Sequence, residues 1–274
     1  MIVVRKGIII NLLILLSLTL LLSDDWKEYR EIKQNFYKID HSTFNIIECT
    51  LSVDILNNFL EPLKEQINPI LANLKIEENI EEFKFFYSKE DGFKFEKPML
   101  CINIISEEGI SDLNTVKEGI QLVESGFIMT VDGLCQQIES IFSYLIEAKE
   151  TEVNITEILK EDNSLTIKYN SEEGSSIETI NDKTILTTTI SPQYKTNSKE
   201  IYKEITSKKL ILEKMVTTIK NPSFEMELSV ELSYINLSDS LFVPFKISSS
   251  VIQKNQNSSQ NQNFIILMNG WKVR

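Results

Sequence analysis

The side chains best suited to chemistry are few. The single histidine, His41, falls in an expected turn between a helix and a strand. A lone histidine on a turn is more often a surface residue than a proton shuttle or a metal ligand. Cys49, Cys101 and Cys135 include no Cys-x-x-Cys spacing, which disfavours a zinc site or a thioredoxin-type motif. Cys49 lies on the apolar face of an expected strand and Cys135 on the apolar stripe of an expected helix, so both are read as small buried hydrophobes. A two-carboxylate hydrolase needs no histidine. The acidic pairs Glu77-Glu78, Glu81-Glu82 and Glu107-Glu108, however, lie in polar surroundings and read as solvated charge. There is no His-Glu-x-x-His, nucleophile elbow, phosphate loop or dinucleotide fingerprint. The expectation is a protein without catalytic residues, metal or cofactor, and not an enzyme. Asn154-Ile155-Thr156, Asn236-Leu237-Ser238 and Asn257-Ser258-Ser259 match the glycosylation acceptor pattern, which matters only in a eukaryotic secretory pathway.

Composition narrows the partners. The 274 residues carry a formal net charge of -12. Setting aside residues 1–23, with Arg5 and Lys6, leaves 26 basic against 40 acidic residues, a charge of -14. Such a body repels nucleic acid and anionic lipid surfaces. Only Arg30 and Arg274 remain as arginines there, which nearly excludes bidentate phosphate clamps. With 42% hydrophobic and 25% charged residues, the chain is globular and long enough for a sizeable core.

One stretch organises the remainder. In Ser223–Asn236, Phe224, Met226, Leu228, Val230, Leu232 and Tyr234 alternate with Glu225, Glu227, Ser229, Glu231 and Ser233. A period of two sustained this long specifies a strand with one apolar and one wet face, as in an antiparallel sheet. The six apolar side chains are the candidate ligand-binding residues, expected to point to the concave side of the sheet.

The elements around it follow from periodicity. Met1–Lys6 is basic, Gly7–Leu22 almost wholly apolar, and Ser23-Asp24-Asp25 polar, the pattern of a secretory signal peptide. Sixteen helical residues span about 24 Å, short of a bilayer core of roughly 30 Å. Leu21 at the −3 position of a cut after Ser23 is a poor cleavage signal, so an uncleaved N-terminal anchor is the alternative. Asp24–Ile39 has helical spacing, then Phe44–Val53 alternates. Asp54–Leu74 is helical in spacing, with Pro62 and Pro69 breaking it. Phe83–Tyr87 and Phe93–Phe95 form an expected hairpin across Lys89-Glu90-Asp91-Gly92. Met99–Ile105 is an expected strand, Thr115–Val123 a weak helix and Leu134–Leu145 a stronger one. Val153–Leu159 fits either type. Beyond it come expected strands Ser164–Tyr169, Ile177–Ile180, Thr184–Ile190, Lys209–Ile219, Leu241–Ile252 and Phe264–Val273. Ser191–Lys199 and the low-complexity Gln253–Asn263 are expected loops. Pro244 suggests an edge strand or a bulge.

An exported chain with an amphipathic helix, Asp24–Ile39, then a strand, Phe44–Val53, and the closing strands LFVPFKISSSVIQ and NFIILMNGWKVR resembles the outer-membrane lipoprotein-sorting (LolA/LolB-like) superfamily of periplasmic carriers. The resemblance implies an α+β fold, a curved antiparallel sheet (half-barrel) with helices packed on its concave face. It implies one such domain over residues 24–274, with helical segments in 54–145. It also implies shielding of an acyl chain, with an apolar ligand or a lipid-modified protein as partner. No internal arginine matches the one that engages the superfamily's helical lid. The expected location is periplasmic or extracellular, with membrane contact confined to residues 1–23. The alternative is a non-enzymatic structural or interaction protein of the cell envelope.

Overall fold

The computed structural model describes residues 29, 31–39, 44–57, 75–106, 113–146, 154–161, 164–171, 174–206, 209–238, 241–255 and 258–274. The expected signal or anchor, His41, Glu107-Glu108, Asn257 and the helical spacing of 58–74 lie outside them.

Antiparallel strands dominate. They are β1 (Ile46–Val53), β2 (Lys75–Ile80), β3 (Phe83–Ser88), β4 (Gly92–Glu96), β5 (Leu100–Ser106), β6 (Asn154–Glu161) and β7 (Ser164–Ser171). There follow β8 (Gly174–Asn181), β9 (Thr184–Ile190), β10 (Lys195–Thr206), β11 (Lys209–Lys220), β12 (Phe224–Ser238), β13 (Leu241–Asn255) and β14 (Ser258–Val273). Among the described residues, the named helices are the single turn α1 (Asp54–Asn57) and the 33-residue α2 (Leu113–Leu145). Twelve strands form one sheet in the order β4-β3-β1-β14-β13-β12-β11-β10-β9-β8-β7-β6, and β2 pairs with β5 in a separate ribbon.

This overturns the expected fold class. The protein is a mainly-β structure built on a single open sheet ending at β4 and β6, not an α+β half-barrel with several helices on a concave face. The physical reason lies in the polar tracts. Ladder hydrogen bonds use backbone groups and need no apolar side chain. So Ser191–Lys199 supplies a tight turn at Ser191–Tyr194 and then the start of β10, while Gln253–Asn263 supplies the ends of β13 and β14. Asn154–Glu161 resolves as a strand. Among the described residues of Asp24–Ile39, helix covers 29 and 31–34; Phe36 and Ile39 make isolated parallel bridges to Leu210 and Ile146. The two helices expected in Thr115–Leu145 are one. β13 lies between β12 and β14, so Pro244 marks no edge.

Elsewhere the alternation holds. In β1, Ile47, Cys49, Leu51 and Val53 are buried on one face. The Phe83–Phe95 hairpin closes at Ser88 opposite Gly92, whose φ of 71° suits glycine at the end of such a loop.

The chain divides into two compact units. One comprises residues 1–37, 150–230 and 251–261; the other comprises 38–149, 231–250 and 262–274. In the second, Phe142 of α2 lies 4.6 Å from Phe85 and 6.1 Å from Trp271 between ring centroids. Trp271 Nε1 donates to the Pro244 carbonyl at 3.0 Å, and Gln137 Nε2 to Ser249 Oγ at 2.7 Å. Phe85, Phe127, Ile138 and Phe142 are fully buried.

Candidate functional site

In the first unit, a turn and a ladder position one apolar and one polar group of side chains. Asn221 Oδ1 accepts from the Ser223 and Phe224 amides at 2.8 Å each, and the Asn221 amide donates to the Phe224 carbonyl. Lys220 and Glu225 then meet as an ion pair at 3.0 Å. One position further in, Ile219 and Met226 fall on the face opposite that pair, since successive residues alternate. β10 and β11 place Ile219 opposite Thr196, Thr217 opposite Ser198 and Met215 opposite Glu200.

The six candidate ligand-binding residues differ in how far they are covered. Val230 and Leu232 are sealed, at 1% and 5% exposure. Phe224, Met226, Leu228 and Tyr234 are half-buried, and so are Glu225 and Ser229 between them. β12 also crosses the division between units, with Phe224–Val230 in the first and Leu232 and Tyr234 in the second. On β11, every residue from Lys214 to Ile219 is half-buried as well, including Met215, Val216 and Ile219. The first unit therefore carries adjoining apolar strand segments that its own chain only partly covers.

The same face holds two buried carboxylates that the sequence reading did not single out. Ile167 of β7 lies opposite Glu178 of β8, which lies opposite Thr187, and that opposite Ser198. Glu178 and Glu200 are 7% and 8% exposed. Each is engaged, as buried charge requires. Lys33 Nζ lies 2.8 Å from Glu178 Oε1, and the Tyr29 hydroxyl donates to the same oxygen at 3.5 Å. The Tyr202 hydroxyl donates to Glu200 Oε2 at 2.7 Å. Burial pushes the Tyr169 phenol above its ordinary pKa, Glu178 adds to this, a hydrogen bond with Ser176 opposes it, and Glu200 adds a smaller push. Ser176 and Thr189 hydroxyls share a bond of 3.0 Å.

Tyr29 and residues 31–37 form a strap over this cluster. The Leu210 amide donates to the Asn35 carbonyl at 2.9 Å, the Tyr37 amide to the Leu210 carbonyl at 2.6 Å, and Lys209 Nζ to the Gln34 carbonyl at 2.7 Å. Phe36 meets Tyr202 edge-on at 4.4 Å. Glu178 thus anchors the strap directly, while Glu200 holds the Tyr202 ring that Phe36 meets. Ile177 and Ile180 obscured Glu178 in the sequence, because a spacing of three puts them on opposite faces; the clue was Leu165, Ile167 and Tyr169, whose partners across the ladder are Ile180, Glu178 and Ser176.

The remaining chemical residues stay apart. Cys49 and Cys135 are buried free thiols and Cys101 is exposed. Burial raises the Cys49 thiol far above its ordinary pKa and pushes Cys135 up to about 11. Glu81 and Glu82 are exposed. Among the described residues no group of three His, Cys, Asp or Glu side chains could hold a metal ion, and no helix is long and apolar enough to cross a membrane. The chain matches no protein-family model, no curated protein and no solved structure.

Proposed function

We propose that the protein is an exported, non-catalytic binding module for an apolar ligand, of the lipid or acyl-chain type. One observation carries the reading. Phe224, Met226 and Leu228 of β12, and Met215 and Ile219 of β11, remain half-covered, whereas Val230 and Leu232 further along β12 are sealed. A side chain whose only role is packing gains most when fully removed from water. The likeness to periplasmic lipoprotein carriers and the signal-like start, residues 1–23, support the same reading; the expected half-barrel is not part of it. Anchoring of the strap accounts for Glu178 and support of Tyr202 accounts for Glu200, so neither needs a catalytic role.

The test is uptake of the neutral fluorescent probe N-phenyl-1-naphthylamine by the purified chain. Saturable uptake is expected in the parent, strongly weakened in Met226→Glu and Leu228→Glu. Leu159→Glu, at a position already 45% exposed on β6, should bind as the parent does. No saturable uptake by the parent, or equal uptake by all four proteins, removes the carrier reading and leaves an envelope interaction protein in its place.

A further inference from the structure

Helix α2 is amphipathic twice over. Its inward stripe, including Phe127, Leu134, Ile138 and Phe142, is buried. Its outward face is not purely polar. Leu122 and Met129, seven positions apart, are 75% and 74% exposed, the two most exposed large hydrophobic side chains among the described residues. Gly119, Gly126 and Gly133 interleave with them, so the order Gly119, Leu122, Gly126, Met129, Gly133 advances by alternating steps of three and four. That is the seam of a heptad repeat. Mid-helix glycine is about 1 kcal/mol worse than alanine, and the surroundings of Gly119 and Gly133 do not ask for it. A Cβ built at Gly119 or Gly133 meets no atom within 4 Å, and neither residue has a positive φ. What glycine provides on such a seam is room for another helix to approach closely.

The row beside the seam sets the occupant's charge. Glu118, Ser125, Asp132 and Glu139 recur every seven residues along one flank, three carboxylates and a hydroxyl with no cation among them. Glu118, Ser125 and Glu139 are exposed. Asp132 accepts from Lys97 Nζ at 2.8 Å, so the chain itself shows how a lysine meets this row. A second copy of α2 fits badly. Packed antiparallel about the middle of the seam, it sets Glu118 of each copy against Glu139 of the other; packed parallel, it offers Val123, Thr130 and Gln137, none of them cationic.

We infer that the outward face of α2, from Glu118 to Glu139, docks a basic amphipathic helix of another protein. The partner's apolar side chains seat over Leu122, Met129 and the glycine gaps, and its lysines or arginines meet the acidic flank. These 22 residues make a seam of about 33 Å, three heptads long. This docking is independent of the apolar-ligand reading, since all its residues belong to the second compact unit.

The test uses the full chain and a synthetic three-heptad helix with leucine at its seam and lysine at its flanks, labelled for fluorescence anisotropy. Saturable binding is expected, weakening with added salt, and at least tenfold weaker for Met129→Asp. A peptide with glutamate in place of the lysines should not bind. Gly119→Gln/Gly133→Gln separates docking from folding: it should raise the melting temperature, because better helix formers replace glycine in open space, yet weaken the peptide at least tenfold. No saturable binding by the parent, or binding unaffected by the glycine substitutions, overturns the proposal. So does a parent that sediments as a dimer dispersed by Met129→Asp, which would make the occupant a second copy.

Discussion

Removing Lys33 should loosen the strap far more than removing an ordinary surface lysine. The side chains of Glu178 and Lys33 retain 10% and 35% of their accessibility. Breaking a fully buried pair from one side costs about 3–5 kcal/mol, and an exposed pair about 0–1 kcal/mol. This pair lies between those limits, so Lys33→Met is expected to cost about 2 kcal/mol. The cost comes chiefly from leaving the Glu178 carboxylate in a poorly hydrated place without its cation. Glu178→Gln removes that charge and keeps an acceptor for Tyr29, so it should stay within about 1 kcal/mol of the parent. Lys33→Met combined with Glu178→Leu should recover most of the loss, giving a coupling of roughly 1–2 kcal/mol in a double-mutant cycle. Urea unfolding measures the totals. Hydrogen exchange localises them: the Leu210 amide donates to the Asn35 carbonyl, and opening the strap more easily by about 2 kcal/mol should speed its exchange roughly thirtyfold. A Lys33→Met protein within about 0.5 kcal/mol of the parent, or strictly additive losses in the cycle, would refute the anchoring argument.

Three further outcomes follow from the packing. Phe142→Ala removes a fully buried ring beside Phe85 and Trp271 and should cost about 3–5 kcal/mol in urea unfolding; a loss below about 1.5 kcal/mol would contradict the packing. Gly174→Ala should destabilise by well over about 1 kcal/mol, because the glycine has φ +144° and a Cβ there would sit 2.2 Å from the Ile190 carbonyl oxygen; an unchanged melting temperature would contradict this. Cys135, pushed up from 9.0 to about 11 by burial, favours the folded state fully below pH 9, and that contribution fades as pH rises toward 11 because the unfolded thiol ionises first. Cys135→Ala should therefore flatten the alkaline limb of the stability profile, and iodoacetamide at pH 8 should label Cys101 before Cys49 or Cys135.

Strand faces were legible wherever apolar residues alternate, as in Ile47, Cys49, Leu51 and Val53. Segments whose ladder is built from polar residues were not, because periodicity reports burial and a strand wet on both faces buries little. Gln253–Asn255 and Ser258–Asn263 are all exposed and yet lie in strands. The same limit hid β10, which starts in Lys195-Thr196-Asn197-Ser198. Helix α2 was legible at both ends and opaque in its middle, where Gly126 and Gly133 lower helix propensity and Ile128 and Met129 stand outside the buried stripe. Of the candidate site, the side-chain alternation of β12 could be read, but not the gradient from half-covered Phe224, Met226 and Leu228 to sealed Val230 and Leu232. That gradient depends on what neighbouring strands carry, and no single strand encodes it.

Pairing of β1 with β14 has a bearing on the order in which the molecule can assemble. From β6 to β14 each strand lies beside the one before it in sequence, so hairpins can add one after another as the chain is made. β1 cannot join that way. Its partner is the last strand, and the bond from Arg274 to Glu48 closes a separation of 226 residues. Until β14 emerges, Ile47, Cys49, Leu51 and Val53 have the β3–β4 hairpin on one side and no ladder on the other. Closing so long a loop carries an entropic penalty and makes this step slow compared with hairpin formation. A nascent chain would thus hold an apolar strand edge open from the making of β1 to that of β14, the interval in which a chaperone has most to protect.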